Sequence, residues 1–190
     1  NHLTCLCGNP DNPLLIQNWL ATFSATSNCN LNVTLSNDYP NGTITPSCGN
    51  AGTQAVTFTA VDDCGNTASC TANIIFIDNN PPELTCPAGP VTVGTDAGAC
   101  EATIPMGGAA AIGALDKCDP NFTITNDSPY AVDNNSADAY GTYPTGTHVI
   151  TFNAMDACGN SSMCSLTLIV ADQEDPMIAC PADILVAADV

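Results

Sequence analysis

The stretch TFTAVDDCGNTASC, Thr57 to Cys70, returns 94 residues later as TFNAMDACGNSSMC, Thr151 to Cys164. Eight of the fourteen letters and both cysteines keep their places. Self-similarity at a fixed offset is the mark of tandem units. The match runs on at the same offset: NIIFID (Asn73 to Asp78) aligns with TLIVAD (Thr167 to Asp172), and PELTCP (Pro82 to Pro87) with PMIACP (Pro176 to Pro181). Cys64 and Cys158, Cys70 and Cys164, and Cys86 and Cys180 hold that spacing, whereas Cys29 to Cys64 is shorter than Cys118 to Cys158. A constant end and a variable end describe one framework with variable loops. The expected organisation is a first domain over residues 1–78, a second over 79–172, and the first strand of a third over 173–190, as in a slice of a longer array.

Outward from the repeat, the chain reads as strands and turns. QAVTFTAV and HVITFNAM alternate, as do CTANIIFI and CSLTLIV, with DDCGN or DACGN as the turn between them. Gly65 and Gly159 permit positive φ in that turn. PVTVGTDAGACEATI reads as a hairpin turning at Asp96 to Gly98. Strands separated by turn signals about every ten residues predict an antiparallel sandwich. One stretch departs from this pattern. NPLLIQNWLATF places Leu15, Trp19 and Phe23 at i, i+4 and i+8, behind Asn12 as cap and Pro13 in the first turn. That predicts a short helix in the first domain alone.

Twelve cysteines in 190 residues, at repeating positions, imply a disulfide framework and an extracellular, oxidising location. Zinc fits poorly, because no CxxC pair occurs and His2 and His148 do not follow the repeat. Lys117 is the sole basic residue against nineteen acids, for a net charge of −18. That balance excludes a nucleic-acid footprint and attraction to anionic lipid. It favours a solvated, self-repelling surface.

At these residues the chain resembles HYR (hyalin repeat) domains. The pattern PPELTCPAGPVTVGTDAGACEATI…LDKCDP…YPTGTHVITFNAMDACGNSSMCSLTLIVAD covers residues 79–172. Residues 1–78 share its last half. Their CGNPDNPLLIQNWL and SCGNAGTQAVTFTA resemble the Cys-rich repeats interleaved with HYR units in giant surface proteins of Bacteroidetes-like bacteria. The resemblance implies an all-β chain of tandem immunoglobulin-like β-sandwich domains stapled by disulfides, used in adhesion, with no catalytic residue. In that strand order the B–C and F–G loops share one end. Cys29 and Cys118 then fall in the first loop, Cys64 and Cys158 in the second, which implies bridges Cys29–Cys64 and Cys118–Cys158. Cys5 and Cys86 open first strands, and Cys70 and Cys164 open last ones, implying Cys5–Cys70 and Cys86–Cys164. Cys7–Cys48 completes the first domain. Cys100 is left over; Cys180 is its candidate inter-domain partner, unless Cys180 pairs inside the third domain.

Asp78 and Asp172 occupy equivalent places before proline, in FIDNNPPEL and VADQEDPMI. Calcium gathered by junction carboxylates is one reading of them; a turn capped by Asp and stiffened by Pro, with no ion, is the other. Asp62 and Asp156 in the D-x-C-G-N turn carry the same two readings, with the turn favoured. No GxSxG, HExxH or phosphate-loop motif occurs, and the acids cluster in turns, so no enzyme is expected. Trp19 falls on the apolar side of the helix rather than on a sugar platform. Asn-x-Ser/Thr occurs at Asn32, Asn41, Asn121, Asn126, Asn134 and Asn160. The reading that unites these features is a structural segment that spaces and stiffens a cell-surface or secreted appendage. Its expected partners are further copies of itself in a homo-oligomeric filament. The alternative is a module that binds a glycan or a protein.

Overall fold

The computed structural model describes residues 2–29, 32–42 and 44–183. The expectation for an ordered strand over 184–190 lies outside these residues. The chain is all-β with one short helix, and three disulfides staple it.

The first repeat contains β1 (His2–Leu6), α1 (Asn12–Leu20), β2 (Val33–Asn37), β3 (Ile44–Cys48), β4 (Ala51–Asp62) and β5 (Thr67–Ile77). They form one sheet in the order β1-β5-β4-β2, with β3 also paired to β4. β1 runs parallel to β5, and β4 and β5 form a long antiparallel hairpin in which Phe58 faces Cys70. Alternation along β4 buries Gln54, Val56, Phe58 and Ala60 on one face, as a two-residue side-chain period requires. That face is covered by α1. Ile16 is buried, Trp19 meets Phe58 edge-on at 5.5 Å between ring centroids, and Phe23 lies 4.8 Å from Phe58. The expected apolar stripe is corrected in one place: Leu15 faces solvent, and Ile16 takes the core position. Asp11, not Asn12, is the N-cap; the Asn12 side chain instead donates to the Leu6 carbonyl at 2.7 Å.

The second repeat contains β6 (Glu83–Thr85), β7 (Val91–Gly94), β8 (Glu101–Ile104), β9 (Gly113–Leu115), β10 (Thr123–Asn126), β11 (Gly141–Pro144), β12 (Gly146–Met155) and β13 (Ser161–Ala171). One layer is the sheet β10-β12-β13-β7; the pairs β8–β11 and β6–β9 supply the other strands. Between them lie Ile104, Tyr143, Ile150, Phe152, Leu166 and Leu168, all buried. The Tyr143 hydroxyl donates to the Ala139 carbonyl, satisfying a polar tip inside an apolar core. The expected hairpin over 90–104 is corrected here. Its turn forms, with the Ala99 amide bonded to the Asp96 carbonyl at 2.9 Å, but β7 joins β13 while β8 joins β11. The two strands leave the turn for different sheets.

Several bridges implied at the sequence level are also corrected. Cys118 is bonded to Cys7, not to Cys158, and Cys158 is bonded to Cys48, so neither Cys118–Cys158 nor Cys7–Cys48 forms. The reason is spatial: the end of the first repeat seats on the very loops that carry Cys118 and Cys158. Each of these cysteines meets a partner across the junction, at Cα separations of 5.8 Å and 5.1 Å. Within the second repeat, Cys86 is bonded to Cys164 at a Cα separation of 6.0 Å. Cys29 and Cys64 are free and exposed rather than joined to each other. Cys5 and Cys70 are free as well, and strand register explains it. Cys5 lies beside Phe76, six residues along β5 from Cys70, which is about 20 Å at strand rise. In register, Leu3 beside Ile74 matches Val91 beside Leu168. Cys5 is therefore the counterpart of Val93, not of Cys86. Cys100 and Cys180 are free and exposed, with no bond between them.

Candidate functional site

The D-x-C-G-N turn is built the same way in both repeats. Asp62 accepts from the Cys64 and Asn66 amides at 3.0 and 2.9 Å and from the Asn66 side chain at 3.0 Å. Asp156 accepts from the Asn160 amide and side chain, both at 2.8 Å. Gly65 and Gly159 hold φ of 82° and 89°, a left-handed conformation that glycine adopts without steric penalty. These hydrogen bonds, the Asn66 side chain first, hold the Asp62 carboxyl below its usual range.

The second turn does more. Asn160 also donates its side-chain amide to the Asp78 carbonyl at 3.1 Å, and Ser162 donates to the Pro82 carbonyl. On the opposite flank the Asn50 amide donates to the Cys118 carbonyl at 3.2 Å. Asn80 donates to the Cys7 carbonyl at 3.0 Å and reaches the Cys118 sulfur at 3.5 Å. Gly49, at φ +49°, passes so near Asp119 that a Cβ there would sit 2.9 Å from the Asp119 side chain. The junction is a packed, hydrogen-bonded and doubly bridged contact.

At its centre is an unusual concentration of charge. Asp78, Asp116, Asp119 and Asp156 are all buried, at 5%, 7%, 1% and 5% exposure. Asp119 is fully used, accepting from the Asn121 and Ala157 amides, both at 2.9 Å. Asp116 Oδ1 accepts from the Cys118 and Asp119 amides at 2.7 and 2.8 Å, and Asp78 Oδ1 from the Asn80 amide at 3.0 Å. The second oxygen of each of these two, Asp78 Oδ2 and Asp116 Oδ2, is buried with no hydrogen-bond partner. Burial first, and then the negative charge of Asp156, Asp116 and Asp119, push the Asp78 carboxyl up from its ordinary value. Lys117, the chain's only basic residue, is exposed to solvent.

Asp172, the sequence counterpart of Asp78, is exposed and only caps the amide of Glu174 at 2.9 Å. Of the four aspartates singled out from the repeat, the structure therefore brings Asp78 and Asp156 into the cluster and leaves Asp62 and Asp172 outside it. Sequence reasoning passed over Asp116 and Asp119, although the DKCD run around Cys118 was the available signal. Beside the cluster opens a cleft of about 500 Å³ lined by Cys7, Pro10, Asn80, Glu83, Leu115 and Lys117. His148 sits against Tyr130 and Tyr143 with its Nε2 2.8 Å from the Pro144 carbonyl. Trp19 belongs to the core of the first repeat. Asn126, Asn134 and Asn160, three of the sequon asparagines, spend their side-chain amides on internal hydrogen bonds.

No protein-family model matches the sequence, and no curated protein matches it. Among solved structures the chain is similar to the protocadherin gammaB7 EC3-6 cis-dimer, at 19% identity and a TM-score of 0.40, over 77% of this chain and 43% of that one. It is similar also to protocadherin gamma B2 extracellular cadherin domains 1–5, at 16% and 0.42, over 78% and 35%. A third is human CDH23 EC21-23, at 15% and 0.38, over 63% and 43%. The chain spans less than half the length of each.

Proposed function

We propose that the chain is a spacing and stiffening segment of an extracellular adhesin or filament, made of HYR-type domains over 1–78 and 79–172. The observation that carries this reading is the pair of disulfides, Cys7–Cys118 and Cys48–Cys158, running from one repeat to the next. Bridges inside a domain protect that domain; bridges between domains restrict the hinge. Two bridges alone leave rotation about the line that joins them, but with the peptide linker between Ile77 and Glu83 they tie the repeats at three places, which restricts swing as a load-bearing spacer needs and a flexible display linker does not. Three disulfides also fit an oxidising, extracellular location. No described helix is long and apolar enough to cross a membrane. No step of this function requires catalysis.

The filament part of the reading rests on a different surface. The outward positions of β12 and β13 are Thr147, Val149, Thr151, Asn153 and Met155 beside Ile169, Thr167, Ser165, Met163 and Ser161. In a chain of net charge −18 this face carries no charge at all. The equivalent positions of β4 and β5 repeat it, with Thr57 facing Thr71 and Thr59 facing Ser69. Copies that repel elsewhere have here a repeated lateral contact, and weak contacts multiply along an array.

Small-angle scattering of the oxidised and the reduced chain tests the spacer. A single rigid shape when oxidised, broadening to a hinged distribution on reduction, is expected; identical curves would end the reading. The junction cleft favours a second reading, a glycan- or protein-binding module, and saturable binding on a glycan array that is lost when the cleft is altered would support it instead.

A further inference from the structure

We infer that the junction is a calcium site, in which Asp78 from the end of the first repeat and Asp116 from the second clasp one ion between them. Their ligand oxygens lie within 4.8 Å of one another. Calcium takes oxygen ligands at about 2.3–2.6 Å, so two oxygens on one ion stand up to about 5 Å apart. Asp78 Oδ2 and Asp116 Oδ2 each lack a hydrogen-bond partner while buried, a condition that proteins rarely tolerate without a compensating group. Among the described residues no protein group provides that compensation. Asp119 and Asp156 add negative charge to the same place, and the lone lysine is exposed.

The donor chemistry selects the cation. Cys118 is the third group in the cluster, but its sulfur is bonded to Cys7, which leaves oxygen ligands only. Soft and borderline metals prefer thiolate or imidazole. Magnesium demands near-ideal octahedral geometry and gives up its water reluctantly. Calcium accepts irregular shells and completes them with carbonyl oxygens or water. With two carboxylates in direct reach, and two more nearby setting the field, the affinity belongs with extracellular calcium modules, about 10⁻⁴–10⁻³ M.

The first oxygen of each ligand is already oriented. The Asn80 amide holds Asp78, and the Cys118 and Asp119 amides hold Asp116. The Cys7–Cys118 bridge anchors the loop that carries Asp116 to the first repeat. An ion here would tie linker to loop and lock the remaining freedom of the junction. Only that stiffening role rests on the spacer reading. The site itself does not, and the two fail separately, since ion binding and inter-repeat rigidity are different measurements.

Calcium binding to the oxidised 190-residue chain, followed by NMR and calorimetry, tests the site. One saturable site is expected, with amide shifts centred on Asn80, Cys118 and Asp119. Asp78→Asn and Asp116→Asn keep side-chain shape and the Oδ1 acceptor, and each should weaken binding at least ~10-fold, the lower bound for disturbing a metal shell. Asp172→Asn should leave affinity unchanged. Shifts in wild-type protein spread over the acidic surface, with none at those three amides, would overturn the inference even if neither junction variant folds. Equal affinity in Asp116→Asn and wild type would overturn it as well.

Discussion

Two copies of one turn, Asp62 to Asn66 and Asp156 to Asn160, share their Asp, Cys, Gly and Asn and the two hydrogen bonds that the asparagine donates to the aspartate. Their cysteines nevertheless meet different fates. Cys64 is exposed and free, whereas Cys158 is bonded to Cys48 of the other repeat. Asp62 is half-buried and outside any cluster; Asp156 is 5% exposed and belongs to a cluster of four buried carboxylates. Local sequence builds the turn in both cases. What lies on top of it decides whether it is a surface loop or half of a joint.

The strongest way to break this comparison is to remove the covalent difference. Cys7→Ser combined with Cys118→Ser opens a bridge spanning 111 residues and should cost about 2–4 kcal/mol in urea unfolding. Cys29→Ser combined with Cys64→Ser should cost nothing measurable. Equal losses would mean that Cys29 and Cys64 are bonded after all, and mass-spectrometric mapping of the crossing peptides checks the same point directly.

Next in size is the carboxylate of the turn. Asp156→Ala leaves the Asn160 backbone amide and one side-chain N–H without their acceptor in a partly buried site and should cost about 1–3 kcal/mol. Asp62→Ala removes the same bonds where water replaces them, so thermal unfolding should register a clearly smaller loss. A larger loss at Asp62 would show that burial does not separate the two turns.

Glycines sharpen the comparison further. Gly49→Ala must place a Cβ 2.9 Å from Asp119 at φ +49°, combining backbone strain with a clash at the joint. Gly65→Ala has φ +82° but nothing within 4 Å, so only the left-handed backbone penalty remains, about 1–2 kcal/mol. Calorimetry should rank Gly49→Ala as the more damaging.

The smallest effect concerns pH. The folded-state value of Asp62 is lowered, so its contribution is complete above its unfolded value, about 3.9, and is lost as pH falls below it. Asp62→Asn should flatten that acid limb of the stability curve. A limb of unchanged slope would assign the acid sensitivity to other groups.

Much of the fold is legible in the amino-acid sequence. The repeat at 94 residues, the alternating β4–β5 and β12–β13 hairpins, the glycine turn between them and the lone helix follow from period and turn chemistry, which act over a few residues. The mispairing of Cys5 with Cys70 has its cause in the alignment itself. Matching letters align Cys5 with Cys86, but strand pairing aligns Leu3 with Val91, and alignment by letters cannot see a slip upstream of the conserved block. The same limit applies to Asp78 and Asp172, equivalent in sequence and opposite in burial.

By itself the sequence determined the tandem β architecture, the turns, the wealth of cysteine and the near absence of positive charge. Each is set by neighbours in the chain or by composition. Only the tertiary structure decided which cysteines meet, which aspartates lose water, and which of two matching turns becomes a joint. Those outcomes depend on one repeat seating against the next, bringing Cys7 to Cys118 and Cys48 to Cys158 over separations of 111 and 110 residues. No local pattern encodes a distance of that kind.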